Sequence, residues 1–323
     1  MNILEEFRPL TDQINQKLLE VVSPHLPRTL KAPILYFLKT PGKKIRPLLT
    51  LLTTRLVGGE ISEAMAGAVA IELFHDFTLI HDDIMDRDEL RRGRPTIHIK
   101  WDDSTAILVG DLLVGLSYKE LLKSPSAKRA AVMEIFSNTL IKVCEGQALD
   151  KEFESRPQVS LKEYLNMIGK KTAWLLKASC EIGAILGSAD AQRIAALGNF
   201  GYQIGLGFQI QDDLLDMIAE ESKLGKRVGS DFRMSKKTYV TIKYQEQWFQ
   251  HPHWQQQWPG RPAEFSDFAD FQRAIVQSGL AHQIEKDIEK HLDNALQFIA
   301  PYFPLNDSNP LYRLTLFLRK RQF

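Results

Sequence analysis

Two short acidic words, Asp82-Asp83-Ile84-Met85-Asp86 and Asp212-Asp213-Leu214-Leu215-Asp216, sit inside long apolar stretches of helical periodicity. Any fold this chain adopts has to accommodate them. Carboxylates on an apolar helix are costly to bury unless a cation or ligand compensates them. Like charges one turn apart add a further ~0.2–0.5 kcal/mol per pair. On an α-helix positions 82 and 86 lie one turn apart and 83 falls on nearly the same arc, so three carboxylates are expected to project to one side. The same spacing recurs in the same apolar context, which argues against accident. Read from the residues alone, the pair predicts two divalent-cation sites facing one another.

The rest of the chain narrows the setting. With 41 Lys+Arg against 40 Asp+Glu the net charge is +1, so nothing global points to a nucleic-acid or anionic-membrane partner, and strong electrostatics must be local. Two cysteines, Cys144 and Cys180, are too few and too far apart for a zinc word or a disulfide framework. Both are expected to be buried thiols. Glu5, Glu6 and Arg8 stand where a secretory signal would need an apolar core, and apolar runs are interrupted early, as Asp111 interrupts 107–118. The expectation is a cytoplasmic protein with no membrane span.

Helical periodicity dominates and strand-like alternation is nearly absent. Gly58-Gly59 reads as a helix stop and Ser62 as the N-cap of a helix over about 63–87. Gly93 and Pro95 then impose a loop. Further helices are predicted over 106–122, 128–153, 161–186, 192–217 and 268–298. No Ser/Gly-rich or Pro-rich linker divides the chain, so one all-α domain over 1–323 is expected. The exception in pattern is about 245–265, which holds Trp248, Phe249, His251, His253, Trp254 and Trp258 with Pro252, Pro259 and Pro262. It reads as an insertion packed on the surface by its own aromatics.

Cations in short Gly/Pro-punctuated segments surround the acidic words. They are Gly42-Lys43-Lys44-Ile45-Arg46-Pro47, Arg91-Arg92-Gly93-Arg94-Pro95, Lys170-Lys171-Thr172, Gly225-Lys226-Arg227 and Ser235-Lys236-Lys237-Thr238. Arg offers phosphate a bidentate fork and Lys a point charge, whereas carboxylates suit Mg²⁺, which is completed by substrate phosphates. Positions 75, 78, 82 and 86 form one helical stripe, placing His75 on the face of Asp82. These parts describe a site for diphosphates.

The stretch from Ile71 to Asp83, with His75 and the first word, and the stretch Gly207-Phe208-Gln209-Ile210-Gln211-Asp212-Asp213 resemble the two aspartate-rich regions of trans-polyprenyl diphosphate synthases. The similarity spans roughly residues 40 to 240. It implies an all-helical bundle around a deep central cavity, usually a homodimer, that condenses isopentenyl diphosphate with an allylic diphosphate. By that resemblance Asp82, Asp83, Asp86, Asp212 and Asp216 hold three Mg²⁺ ions. Arg91, Lys171, Thr172, Gln209 and Lys226 contact the allylic diphosphate, while Lys43, Arg46, His75 and Arg92, assisted by Lys236, hold isopentenyl diphosphate. The chain departs from the family at Ser235, where glycine is usual, and at Tyr239-Val240, where Leu-Pro is usual.

Product length is read from the helix preceding Asp82. Phe77 lies five residues earlier, about 7.5 Å lower at 1.5 Å per residue, with Thr78 at four and Phe74 at eight. A ring at 77 predicts a floor, and in this the chain resembles geranylgeranyl-type more than octaprenyl-type synthases, which implies a C20 product, with C15 next; the bland reading is that Phe77 only packs on a neighbouring helix. A class I terpene cyclase would need no isopentenyl site and rarely repeats the acidic word. An HD-type phosphohydrolase, suggested by His81-Asp82, would need further metal-binding histidines. A non-catalytic partner subunit should have lost motif residues that are present here.

Overall fold

The structure, a computed structural model, describes residues 3–22, 25–40, 42–218 and 229–320. The chain is all-α. In order it forms α1 (Ile3–Glu6), α2 (Arg8–Val21), α3 (Arg28–Leu38), α4 (Ile45–Leu56), α5 (Ile61–Asp86), α6 (Ile97–Lys100), α7 (Asp103–Leu121), α8 (Ser126–Ser155), α9 (Leu161–Ile168), α10 (Trp174–Leu186) and α11 (Ala191–Ile218). Helices Tyr239–Gln250, Pro252–Gln257, Phe268–Gln277, Leu280–Ile299 and Pro310–Arg319 follow. Among the described residues the strands are the two-residue β1 (Leu90–Arg91) and β2 (Arg94–Pro95), an antiparallel pair in the segment read as a loop. No described helix is long and apolar enough to cross a membrane.

The helices gather into two compact units, and three of the divisions between them fall within α8, α10 and α11. The first comprises residues 1–137, 178–198 and 302–314. Its centre is α5, packed against α4 and α7. From Ala64 to Phe74 nearly every α5 side chain is buried, and all but Glu72 are apolar or glycine; from His75 onward the burial becomes partial. Helix α5 ends on Arg87, whose left-handed backbone (φ 56°) lets the Asp88 N–H reach the Asp83 carbonyl at 3.0 Å. Gly183 allows the last turns of α10 to touch α4: a Cβ there would lie 2.3 Å from the Thr50 carbonyl oxygen, and Thr54 Oγ1 donates to the Gly183 carbonyl at 2.8 Å.

The second unit comprises 138–177, 199–301 and 315–323. Within it the 245–265 stretch folds back onto the buried ring of Tyr244. Trp254 and Phe265 lie 5.5 and 5.7 Å from that ring, and Tyr244 Oη donates to the Pro259 carbonyl at 2.7 Å. Trp254 is buried while Phe249 is exposed.

Several local expectations need correction. Helix α5 begins earlier, with Glu60 at the N-cap, so Ser62 lies inside the first turn. The helix expected over 161–186 is interrupted by a π-helical turn, Gly169–Ala173. The helix expected over 268–298 breaks at Ser278-Gly279, where Gly279 takes a left-handed backbone (φ 76°). Cys180 is buried as expected, but Cys144 is exposed, because it falls on the outer face of α8.

Candidate active site

The first acidic word ends α5, yet its carboxylates do not share one environment. Asp82 and Asp86 are half-exposed on one arc, as one-turn spacing requires. Asp83, rotated from them by one residue, is buried and takes Arg91, whose Nε and Nη2 both approach Oδ1 at 2.6 Å. Its Oδ2 is buried without a hydrogen-bond partner. Burial pushes the Asp83 carboxyl up to about 7, against the pull of Arg91. Arg91 reaches this position because the short hairpin turns the chain back beneath the end of α5.

His75, two turns before Asp82, faces a concentration of cations. Arg46, in the first turn of α4, places Nη1 3.1 Å from His75 Nε2. Arg92 lies against the start of the same segment; a Cβ on Gly42 would stand 2.7 Å from its Nη1. Burial, then the charges of Arg46, Arg92, Lys44 and Arg91, hold the imidazole well below its ordinary pKa. A neutral ring can accept from Arg46, so the pairing is self-consistent. Lys43 is exposed beside this cluster. The structure thus brings together Arg46, His75 and Arg92 in the first unit, with Lys43 close to Arg46 in sequence.

Lys44, between Lys43 and Arg46, is buried with a left-handed backbone (φ 50°). Its ammonium pairs with Glu72 at 2.8 Å, and both side chains are 3% exposed. Burial disfavours that charge, yet Glu72 and Asp76 hold the Lys44 pKa above its usual value. Asp76, one turn beyond Glu72 and also buried, is raised by desolvation to about 7. Sequence reasoning does not single out Glu72 or Asp76, and it counts Lys44 among the cations suited to diphosphate, whereas the structure buries Lys44 against Glu72. The signal was available, since Glu72 and Asp76 are acids within an apolar helix, the criterion that singled out the acidic words.

Below Asp82 the α5 face carries an aromatic column. The Phe77 ring sits between His81 (centroids 4.9 Å apart) and Phe74 (5.6 Å). Phe74 leans on Phe136 at 5.3 Å, which in turn meets Tyr118 at 5.1 Å. Gly110 makes room for the upper end, since a Cβ there would lie 2.2 Å from His81 Nε2. The Thr78 hydroxyl turns back to the His75 carbonyl at 2.7 Å.

In the second unit the second word lies near the end of α11. Asp212 is half-exposed, whereas Asp213 and Asp216 are buried. Asp213 Oδ2 accepts from Tyr164 Oη and from the Tyr239 N–H at 2.9 Å; Oδ1 accepts from Gln209 Nε2 at 3.0 Å. Burial raises its carboxyl to about 7, with the Tyr164 hydrogen bond opposing. Asp216 accepts from the Asp231 N–H at 3.1 Å, and its carbonyl from the Gly229 N–H at 2.7 Å.

Lys171 and Thr172 lie on the π-helical turn, a feature often found at functional sites. Two glycines clasp it: a Cβ on Gly146 of α8 would stand 2.3 Å from the Lys171 backbone nitrogen, and one on Gly205 of α11 2.4 Å from Ala173 Cα. Lys171 Nζ donates to Asp150 Oδ2 at 2.6 Å, and Thr172 Oγ1 to Gln209 Oε1 at 2.9 Å. Asp150 and Tyr164 were not singled out from sequence; no local pattern marks a tyrosine whose carboxylate partner is 49 residues away. Lys236 is half-buried, its N–H on the Asp231 carbonyl. Lys226 lies outside the described residues.

Among the described residues no three His, Cys, Asp or Glu side chains converge into a ready metal-binding group. Mg²⁺ takes one or two carboxylates and completes its shell with water and substrate oxygens. The partnerless Asp83 Oδ2 and the half-exposed Asp82, Asp86 and Asp212 are hard oxygen donors of the required kind.

Residues 27–257 match the family described as Polyprenyl synthetase. The chain is 42% identical over 244 residues to the short chain isoprenyl diphosphate synthase of Methanothermobacter thermautotrophicus, covering 75% of each chain. It is 40% identical over 244 residues to the geranylgeranyl diphosphate synthase of Methanosarcina mazei, again covering 75% of each. The crystal structure of geranylgeranyl pyrophosphate synthetase from Pyrococcus horikoshii superposes with a TM-score of 0.89 at 34% identity, covering 99% of this chain and 98% of that one.

Proposed function

We propose, for a chain that belongs to the polyprenyl synthetase family and is a prenyltransferase that elongates prenyl diphosphates, that it condenses isopentenyl diphosphate with an allylic diphosphate and stops at C20. The proposed Mg²⁺ ligands are Asp82, Asp83 and Asp86 in one unit and Asp212 and Asp216 in the other, with three ions in all. Arg91, Lys171, Thr172, Gln209 and Lys226 are assigned to the allylic diphosphate. Lys43, Arg46, His75 and Arg92, with Lys236 assisting, are assigned to isopentenyl diphosphate. The reading keeps the enzyme in the cytoplasm as a homodimer, with the adjacent exposed Ile107 and Leu108 of α7 as apolar surface for the partner copy.

Bound Mg²⁺ would neutralise charge on the departing diphosphate, favouring ionisation of the allylic carbon–oxygen bond. Arg91 and Lys171 add fixed positive charge at that end, and neutral His75 orients Arg46 for the second diphosphate. The isopentenyl double bond attacks the allylic cation, and the proton then lost passes to the released diphosphate. The chain's contribution is positioning, charge stabilisation and exclusion of water.

The observation that carries the product length is the Phe74–Phe77–His81 column below Asp82, wedged from behind by Phe136. A ring held on both sides is a firm floor for a growing chain. Phe77→Ala is expected to move the product, read by mass analysis, beyond C20. An unchanged product length with normal turnover would remove Phe77 from that role.

A further inference from the structure

The Asp213 carboxylate is engaged on both oxygens by donors from three elements. Tyr164 of α9 and the Tyr239 N–H, 49 and 26 residues away, share Oδ2, and Gln209 takes Oδ1. Gln209 turns its NH₂ toward Asp213 Oδ1, at 3.0 Å, and its carbonyl toward Thr172, whose hydroxyl donates to it at 2.9 Å. This leaves the second Gln209 N–H available and sets the direction of the Thr172 proton. The backbone carrying Thr172 is clamped between Gly146 and Gly205, so side-chain direction is what the network decides. Lys171, on the same turn, is held separately by Asp150.

We propose that Tyr164 is a positioning residue for the allylic-diphosphate end of the reaction: by fixing the Asp213 carboxylate, it sets the orientation of the Gln209 amide and the Thr172 hydroxyl. Asp213 on this account is an acceptor hub and not a metal ligand. The inference rests on the assignment of Thr172 and Gln209 to the allylic diphosphate. Without the Tyr164 hydroxyl the carboxylate is free to pivot about the Tyr239 N–H, and Gln209 loses its fixed acceptor.

The test is steady-state kinetics on Tyr164→Phe and Asp213→Asn, with thermal midpoints measured without metal or substrate. Losing an orienting hydrogen bond to a charged group predicts a rise of about tenfold in KM for the allylic diphosphate. KM for isopentenyl diphosphate and the half-saturating Mg²⁺ concentration stay unchanged. Should Tyr164→Phe fail to fold, Asp213→Asn carries the same prediction, because an Asn amide frees Gln209 to reverse. Unchanged allylic KM in a folded variant overturns the proposal. So does an equal rise in both KM values, or a rise in half-saturating Mg²⁺ in Asp213→Asn. Thr172→Ala and Gln209→Ala separate the underlying assignment: normal allylic KM in both overturns that assignment and the proposal with it, whereas raised KM there but not in Tyr164→Phe overturns the proposal alone.

Discussion

Replacing Lys44 by methionine isolates the buried charge beneath the proposed isopentenyl site. Lys44 and Glu72 pair at 2.8 Å with both side chains 3% exposed, and Asp76 lies one turn further along α5. Methionine preserves the length of the stem and meets the same left-handed backbone at φ 50°, so the conformational term nearly cancels. What changes is that Glu72 loses its cation while remaining buried beside a second acid. Removing one partner of a buried pair costs roughly 3–5 kcal/mol. At roughly 2 °C per kcal/mol for a chain of this size, the thermal midpoint should fall by roughly 6–10 °C. The double variant Lys44→Met/Glu72→Leu removes both charges and should recover most of that loss, because an apolar replacement of a whole buried pair is often neutral or better. Thermal melts of the three proteins at neutral pH decide the matter. A single variant within about 2 °C of the parent, or a double variant as unstable as the single, would refute the reasoning.

Other perturbations probe neighbouring parts. Burial raises the Asp76 carboxyl from 3.8 to about 7, so the folded state binds the extra proton; its stabilising effect is complete below about pH 4 and is lost as pH rises through about 7. Asp76→Asn should therefore gain stability relative to the parent as pH rises from about 4 to about 7 and level off above that, with a slope approaching ~1.4 kcal/mol per pH unit in denaturant unfolding; a pH-independent difference would count against it. Gly146→Ala forces a Cβ to within 2.3 Å of the Lys171 backbone nitrogen, where no side chain can yield. Overpacking of that kind costs about 1–3 kcal/mol, and the displaced π-helical turn should raise KM for the allylic diphosphate while sparing that for isopentenyl diphosphate. A normal melt with unchanged KM would show that the clasp is slack.

The all-α class was legible in the sequence because it rests on periodicity, whereas the grouping of Arg46 and Arg92 with His75 came through the family resemblance and not through any local pattern. The π-helical turn was not, since Gly169-Lys170-Lys171-Thr172-Ala173 has nothing locally that forbids an ordinary helix; its surroundings become visible only when Gly146 and Gly205 are packed against it. Helical spacing correctly put Asp82 and Asp86 on one arc but overextended it to Asp83, which lies a third of a turn away and turns inward to Arg91. The break at Gly279 could have been read, because Ser278-Gly279 is an ordinary helix-end signal. The roles of Asp213 and Lys44 depend on partners remote in sequence or on burial, neither of which a local pattern carries.

Mg²⁺-assisted elongation that ends at C20 is tested most directly by mass analysis of the products formed from isopentenyl diphosphate and a C15 allylic diphosphate, with Mg²⁺ and in excess chelator. The account predicts a single C20 diphosphate, one diphosphate released per condensation, and no product in chelator. Products that run past C20 in the unaltered protein, or full turnover in chelator, would contradict it.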